Sequence, residues 1–156
     1  MAHSSLAVAN RILQTAWSQK KNLTIMQLIK LVYIAHGWSL ALLNRPLVAD
    51  RVEAWQHGPV YPDVYNEFRG SGWQPIRRKA IDRWSGVAAD SDFDADELSI
   101  IEKVVDAYGD FHAFELSSRT HQPGTPWSTV FAEGRGKFAP ISNRLIKSHF
   151  DELRGN

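Results

Sequence analysis

Apolar positions at helical spacing divide most of the chain into amphipathic segments. A stripe of small and aliphatic residues from Leu6 to Ala16 follows Ser4 and Ser5, either of which can cap a first helix. Thr24 can cap the next segment, IMQLIKLVYIAHGWSLALL, which is apolar around most of its circumference. A helix with that pattern is usually buried, so we expect it at the centre of the core.

Two further signals refine the helical pattern. Gly37 lies inside the second helix, where glycine costs about 1 kcal/mol relative to alanine, so it predicts either a close packing contact or a break. In the second half, Asp94 and Glu97 have the spacing of a capping box, and Gly109 is placed to end the helix that follows.

The remaining helices are shorter. The stretch HAFELSSRT predicts one, Thr125 and Pro126 suit the cap and first position of another, and Ser142 can cap a last helix over residues 142–153. The pattern therefore predicts a mainly α domain of about six or seven helices, in which the β structure is one small hairpin.

That β element is expected around Leu47–Val48 and Val52–His57, in and before the stretch VEAWQHGPVYPDVYNEF. Gly58 and Pro59 should stop the strand, because proline has no N–H for the ladder. Four residues along an extended strand span roughly 13 Å, so Glu53 and His57 cannot form an acid–base pair within this segment. Pro62 then suits the first turn of a helix whose apolar face carries two tyrosines and Phe68.

Composition narrows the function classes. The 156 residues, 44% of them hydrophobic, suit one domain over residues 1–156. The absence of cysteine excludes disulfides and cysteine-based zinc sites, and the net charge of +1 makes nucleic acid an unexpected partner. No apolar run approaches the roughly 18 residues of a membrane span, and the N-terminus does not resemble a signal peptide, so a cytoplasmic location is expected.

Little catalytic chemistry is visible. The chain has no phosphate-binding loop, and none of its six histidines pairs with another at helical ligand spacing. A metal-dependent or histidine-based hydrolase would have to assemble its site in space from His36, His57 and His121. The acidic run DSDFDADE lacks the glycine and glutamate of a calcium loop, and is interpreted as a solvated loop before a capped helix. No cofactor or metal is expected.

One short segment combines basic and aromatic side chains. Residues 73–84 contain Trp73, Arg77, Arg78 and Trp84, and we expect them to form a hairpin that binds a protein partner. The same mixture is found in proteins that bind single-stranded nucleic acid, which remains the alternative for this segment.

Three stretches together resemble the Panacea family, a group of bacterial and phage antitoxin domains related to phage-associated proteins. They are ANRILQTA, LIKLVYIAHGWSLALLNRPLVADRVEAWQHGPVYPDVYNEF and IIEKVVDAYGDFHAFELSSRTHQPGTPW, and in this order they cover most of residues 5–131. The motif residues to which the resemblance assigns a mostly structural role are Lys30, Tyr33, His36, Glu53, Trp55, Gly58, Pro59, Thr120, His121, Thr125, Pro126 and Trp127.

The resemblance implies a mainly helical domain that is not an enzyme and that neutralises a toxic protein, typically encoded by the adjacent gene, through direct binding. Because such domains meet unrelated toxins, the surface that contacts the toxin should lie outside the motifs: in residues 73–84, in the acidic loop at 90–96 or in the tail. Lys30 lies on the buried second helix and needs a polar partner, for which Glu53 is the expected residue.

Overall fold

Seven α-helices account for most of the computed structural model, which describes residues 1–155. They are α1 (Ser5–Ser18), α2 (Ile25–Leu43), α3 (Pro62–Phe68), α4 (Ala95–Tyr108), α5 (Ala113–His121), α6 (Pro126–Phe131) and α7 (Asn143–Leu153), with 3₁₀ turns at Arg69–Ser71 and Ala132–Gly134. The prediction of a mainly α fold is confirmed.

Local capping sets where most of these helices begin. Thr24 and Asp94 each form a complete capping box with the glutamine or glutamate three residues later, as the spacing indicates. The hydroxyls of Ser4, Thr125 and Ser142 accept the backbone N–H three residues on. Each such cap contributes about 1 kcal/mol, which is why the sequence alone places these starts correctly.

Helix α2 forms the centre of the core, with α1, α4, α5 and α7 packed around it. Gly37 allows α7 to approach α2 closely, because a Cβ atom at this position would lie 2.5 Å from Cζ of Phe150 on α7. Of the two interpretations of Gly37, the packing contact is therefore correct, and the helix continues through it without a break.

The same helix is long and apolar enough, by length and composition, to cross a membrane, with a mean hydropathy of 1.4. The expectation that no segment approaches that length was wrong. However, 78% of the apolar window is buried inside the fold, and a core helix surrounded by other helices has the same composition.

The β structure is a three-stranded antiparallel sheet in the order β2–β1–β3, made of β1 (Val52–Trp55), β2 (Gly58–Val60) and β3 (Pro140–Ile141). The hairpin is thus shifted from its predicted position: Gly58 and Pro59 do not stop a strand, but form the second one. Pro59 is tolerated because it lies opposite Ala54 at the sheet edge, with its carbonyl directed away from β1 toward α2.

The prediction of a strand at Leu47–Val48 is also wrong, because this segment makes only an isolated parallel bridge between Val48 and His3. The N-terminus is held there by the His3 ring, whose Nε2 lies 3.0 Å from a carboxylate oxygen of the buried Glu97. The pair ties the chain terminus to the first turn of α4, a long-range contact for which the local sequence carries no signal.

Residues 73–84 form no hairpin. The segment is an irregular loop whose one β contact is the bridge between Ile81 and Ala88. Its position is fixed by Asn10 of α1, whose side chain donates to the carbonyls of Ala80 and Ala89 and accepts from the Ala80 N–H. The backbone bonds from Ala89 N–H to the Ala80 carbonyl and from Asp82 N–H to the Val87 carbonyl accompany this bridge, and the Asn10 amide holds the pair against α1.

Candidate partner-binding surface

The family-motif residues gather where the β1–β2 hairpin meets α2 and α5. Lys30 is fully buried, and its Nζ donates to the carbonyl oxygen of Pro59 over 3.0 Å. Burial lowers the pKa of Lys30 to about 7, because the charged amine would be stripped of water. The motif lysine therefore serves as a hydrogen-bond donor to the buried edge strand of the sheet.

The predicted pairing of Lys30 with Glu53 is wrong. Glu53 shares a face of β1 with Trp55, whose indole Nε1 donates to its carboxylate over 3.0 Å, and Arg51 lies 3.7 Å from the other oxygen. The partner of Lys30 is instead the backbone carbonyl of Pro59, a group that every residue carries and that the sequence therefore does not single out.

Gly58 is required by the same contact. Its backbone φ of +122° is one that residues with a side chain rarely adopt. A Cβ atom at this position would also lie 3.1 Å from both Cε and Nζ of Lys30. The glycine thus serves the turn and leaves room for the lysine amine.

Two buried tyrosines lie near this point. The hydroxyls of Tyr33 and Tyr61 have no hydrogen-bond partner within residues 1–155, and burial raises the pKa of both well above its usual value. Tyr61 packs edge-on against His36, with ring centroids 6.4 Å apart. Both rings therefore contribute to the core through apolar packing.

His36 has no free nitrogen for chemistry. Its Nδ1 accepts the Val48 N–H at 3.1 Å, and its Nε2 donates to Oδ1 of Asn143 at 2.8 Å, which together hold a neutral ring. Burial lowers the pKa of His36, and the bond to Asn143 opposes that shift. The ring joins α2, the segment before β1 and the start of α7.

His121 and Ser117 also have structural roles. The Ser117 hydroxyl donates to the backbone carbonyl of His57 at 2.7 Å, so the histidine Nδ1, 3.1 Å from that oxygen, acts as the donor. This direction is opposite to the one that activates a nucleophilic serine. Burial, followed by the charge of Lys30, lowers the pKa of His121.

The histidines predicted for a hydrolase do not form a metal site. Within residues 1–155, no three His, Asp or Glu side chains come together as candidate metal ligands. His36 is buried between helices, and His57 is exposed in the hairpin turn. The hydrolase alternative thus has no supporting geometry.

Trp127 of α6 contacts strand β1 of the hairpin. Trp127 Nε1 donates to the carbonyl of Trp55 at 2.6 Å, and its ring stacks on Phe131 with centroids 4.6 Å apart. Thr125 and Pro126 start the helix that carries it, and the Thr120 hydroxyl donates back to its own helix at Leu116. These interactions agree with the structural role expected for the motif residues.

The predicted partner-binding residues separate into two classes. Trp73 and Trp84 are 81% and 99% exposed, which is unusual for such large apolar side chains. Arg78, in contrast, forms part of the fold: it donates to the Glu67 carboxylate at 2.9 Å and to the Glu67 carbonyl at 2.8 Å, and its guanidinium lies over the ring of Phe68. Arg77 is exposed, and it donates a long hydrogen bond of 3.5 Å to Asn22.

Helix α3 separates the two tryptophans, which belong to different grooves. The first, here called the apolar groove, has a volume of about 320 Å³ and lies between the hairpin turn, the start of α2 and the 3₁₀ turn after α3. Its lining includes Met26, Trp55, Tyr65, Arg69 and Trp73.

The second, here called the acidic groove, has a volume of about 530 Å³ and is lined by Asp63, Glu67, Asp82, Asp90 and Trp84 among others. Burial and the neighbouring Asp50 carboxylate raise the pKa of Asp63. The prediction had placed both tryptophans on one surface, but the fold directs them to surfaces of different charge.

Glu67 is a residue that sequence reasoning missed. Its carboxylate accepts the backbone N–H of Ile81 and pairs with Arg78 and Arg83, so it holds the loop against α3. Burial alone raises the pKa of Glu67, but these donors outweigh it and the pKa is lowered overall. The available signal was an acidic residue on a short helix followed by a basic loop.

Comparisons with known proteins agree with this arrangement. A family described as "Antitoxin SocA-like, Panacea domain" matches residues 28–128, the part of the chain that contains most of α2, the β1–β2 hairpin, α5 and the start of α6. The antitoxin SocA of Caulobacter vibrioides (strain NA1000 / CB15N) is 38% identical over 152 residues, covering 92% of this chain and 80% of SocA. No solved structure matches the chain. The family match and the identity to SocA together show that this chain belongs to the SocA-like Panacea-domain antitoxin family.

Proposed function

We propose that this chain is the antitoxin of a toxin–antitoxin pair, and that in the cytoplasm it neutralises its cognate toxin by binding it directly. The observation that supports this most is the 38% identity to an antitoxin across 92% of the chain. In this proposal, the adjacent gene encodes the toxin.

A binding mechanism also fits the side chains. The motif residues that could take part in catalysis, Lys30, His36 and His121, each have a hydrogen-bond partner within the fold. Two tryptophans are instead fully accessible on the surface, and exposed aromatic residues are typical anchors of protein interfaces. The proposed role therefore needs contact area and no chemistry on the toxin.

The experiment is co-expression with the adjacent gene under a separate inducible promoter. We expect that gene to arrest growth by itself, this chain to restore growth, and a tagged form of this chain to retain the toxin through purification. A frameshifted copy of the adjacent gene would be the control for the effect of induction itself. Restored growth without a recoverable complex would contradict neutralisation by binding.

A further inference from the structure

The apolar groove combines exposed aromatic surface with an almost entirely apolar floor. Trp55 and Tyr65 pack edge-on in one wall, with ring centroids 5.1 Å apart, and Ile25, Met26 and Val60 contribute aliphatic surface. Trp73 forms the rim and is 81% exposed. A groove of about 320 Å³ suits a few anchoring side chains of a partner and leaves the polar rim for orientation.

The charges at this rim are positive and unpaired. Among the residues that the structure describes, the groove lining contains no carboxylate, and its titratable polar side chains are those of His57, Arg69 and Tyr65. Within residues 1–155, Arg69 of the groove lining and Arg77 of the loop, which contacts Asn22 just before α2, form no ion pair, whereas Arg78 and Arg83 share Glu67. Free guanidinium groups beside apolar surface favour a partner that brings carboxylates.

The closest acidic side chain along β1 does not neutralise this rim. Glu53 accepts from the indole N–H of Trp55 and pairs with Arg51, which lies on the strand end away from the hairpin turn. The acidic groove on the other side of α3 has a different character, because Asp63, Asp82 and Asp90 outnumber Arg83 in its lining. A segment that carries carboxylates would therefore be favoured in the apolar groove over the acidic one.

We propose that the apolar groove binds a segment of the toxin in which one or more apolar anchor side chains lie beside at least one carboxylate. The anchor would pack between Trp55, Tyr65 and Trp73, and the carboxylate would pair with Arg69 or Arg77. This inference rests on the proposed function, since it names the surface and the chemistry by which the toxin is recognised.

The test measures the affinity of purified toxin, the product of the adjacent gene, for a set of surface variants. Trp73→Ala and Arg69→Glu should each raise the Kd by about tenfold or more, as expected for anchors near the centre of an interface. Trp84→Ala is the matched control, because it removes an equally exposed tryptophan from the acidic groove, and it should change the Kd by less than about twofold. Unchanged circular dichroism and melting temperature would show that each variant is folded.

A photo-crosslinking amino acid at position 73, with position 84 as the control, identifies the bound segment by mass spectrometry. We expect cross-links from position 73 alone, to a toxin peptide that contains an apolar residue and an Asp or Glu. Changing that acidic residue to Arg or Lys should weaken binding to the unmodified chain and restore binding to Arg69→Glu.

The possible outcomes are separable. A complex that forms normally with Trp73→Ala, or that cross-links from position 84 alone, overturns the groove assignment and leaves the proposed function intact. The absence of any complex with the toxin overturns both. Binding of a labelled oligothymidylate that is lost in Trp73→Ala, together with unchanged toxin affinity, would assign the groove to single-stranded nucleic acid instead.

Discussion

The amine of Lys30 donates to the carbonyl oxygen of Pro59 at 3.0 Å, and this bond joins the central helix to the edge of the sheet. The contact lies entirely within the core, where a charged amine is disfavoured and its pKa falls to about 7. Lys30 therefore links the stability of the hairpin to its own protonation state.

The first prediction concerns that linkage. The folded state holds Lys30 with a pKa of about 7 against 10.5 when unfolded, so between these values the unfolded chain binds one more proton and stability rises with pH. The slope should approach about 1.4 kcal/mol per pH unit within this range. Urea denaturation from pH 7 to pH 9.5 measures it, and Lys30→Met should abolish the slope.

The measurement stays below pH 10, because the raised pKa values of Tyr33 and Tyr61 have the opposite effect above it: the unfolded tyrosines ionise first, and stability falls. An equal slope in Lys30→Met and in the unmodified chain would show that Lys30 is solvated and charged in the folded state.

The second prediction tests the approach of α2 and α7. Gly37→Ala normally stabilises a helix by about 1 kcal/mol, but the added methyl group would overlap the Phe150 ring. We expect a net destabilisation of about 1–3 kcal/mol from the overpacking. In a Phe150→Leu background the same change should become neutral or stabilising, so a double-mutant cycle in denaturant isolates the contact. Additive effects of the two changes would contradict the packing role of Gly37.

The third prediction separates the two motif tryptophans. Trp127 is 9% exposed, so Trp127→Ala should reduce the free energy of unfolding by about 3–5 kcal/mol, from lost packing on Phe131 and an unpaired Trp55 carbonyl. Trp127→Phe should retain much of the packing but lose the hydrogen bond to the Trp55 carbonyl, so it should reduce the free energy of unfolding by about 1 kcal/mol.

Trp55 is half-buried against Tyr65 and Phe138, so Trp55→Ala should cost less, about 1–3 kcal/mol. Thermal unfolding measures both tryptophans. A Trp127→Ala variant with an unchanged melting temperature but no toxin binding would move Trp127 from the core to the interface.

The fourth prediction concerns the loop after α3. Arg78→Ala removes the ion pair with Glu67, and because that arginine is half-exposed we expect a loss of about 1 kcal/mol. The more specific readout is hydrogen exchange of the Ile81 amide, which donates to Glu67 and should exchange faster in Arg78→Ala and Glu67→Gln. Arg77→Ala is the control and should change neither quantity. Protected Ile81 exchange in both variants would show that the loop is held by other contacts, such as those of Asn10.

The sequence predicted the features of this fold that depend on neighbouring residues. The caps at Thr24, Asp94 and Ser142 form bonds to residues three positions away, so their spacing alone identifies them. The aromatic face of α3 followed from helical periodicity in the same way, with Val64 and Phe68 buried as expected.

Two of the errors involve contacts between distant residues. Nothing near Asn10 indicates that its amide binds the backbone of Ala80 and Ala89, and without that contact the loop resembles a hairpin. Similarly, the carbonyl of Pro59 becomes a partner for Lys30 only because α2 crosses the sheet edge. For the candidate surface, Trp73 and Trp84 are both exposed and their role in binding stays a prediction, but their separation by α3 depends on the path of the loop and has no local signal.

In the proposed mechanism, this chain neutralises a toxin by holding it in a stable complex. The most direct measurement is the mass, by light scattering during size-exclusion chromatography, of a mixture of this chain with the purified product of the adjacent gene. We predict a single species with a mass equal to an integral combination of the two chains, which dissociates when Trp73→Ala and Arg69→Glu are combined. Two separate peaks at the masses of the free proteins, from the same preparation that restores growth in cells, would contradict the claim.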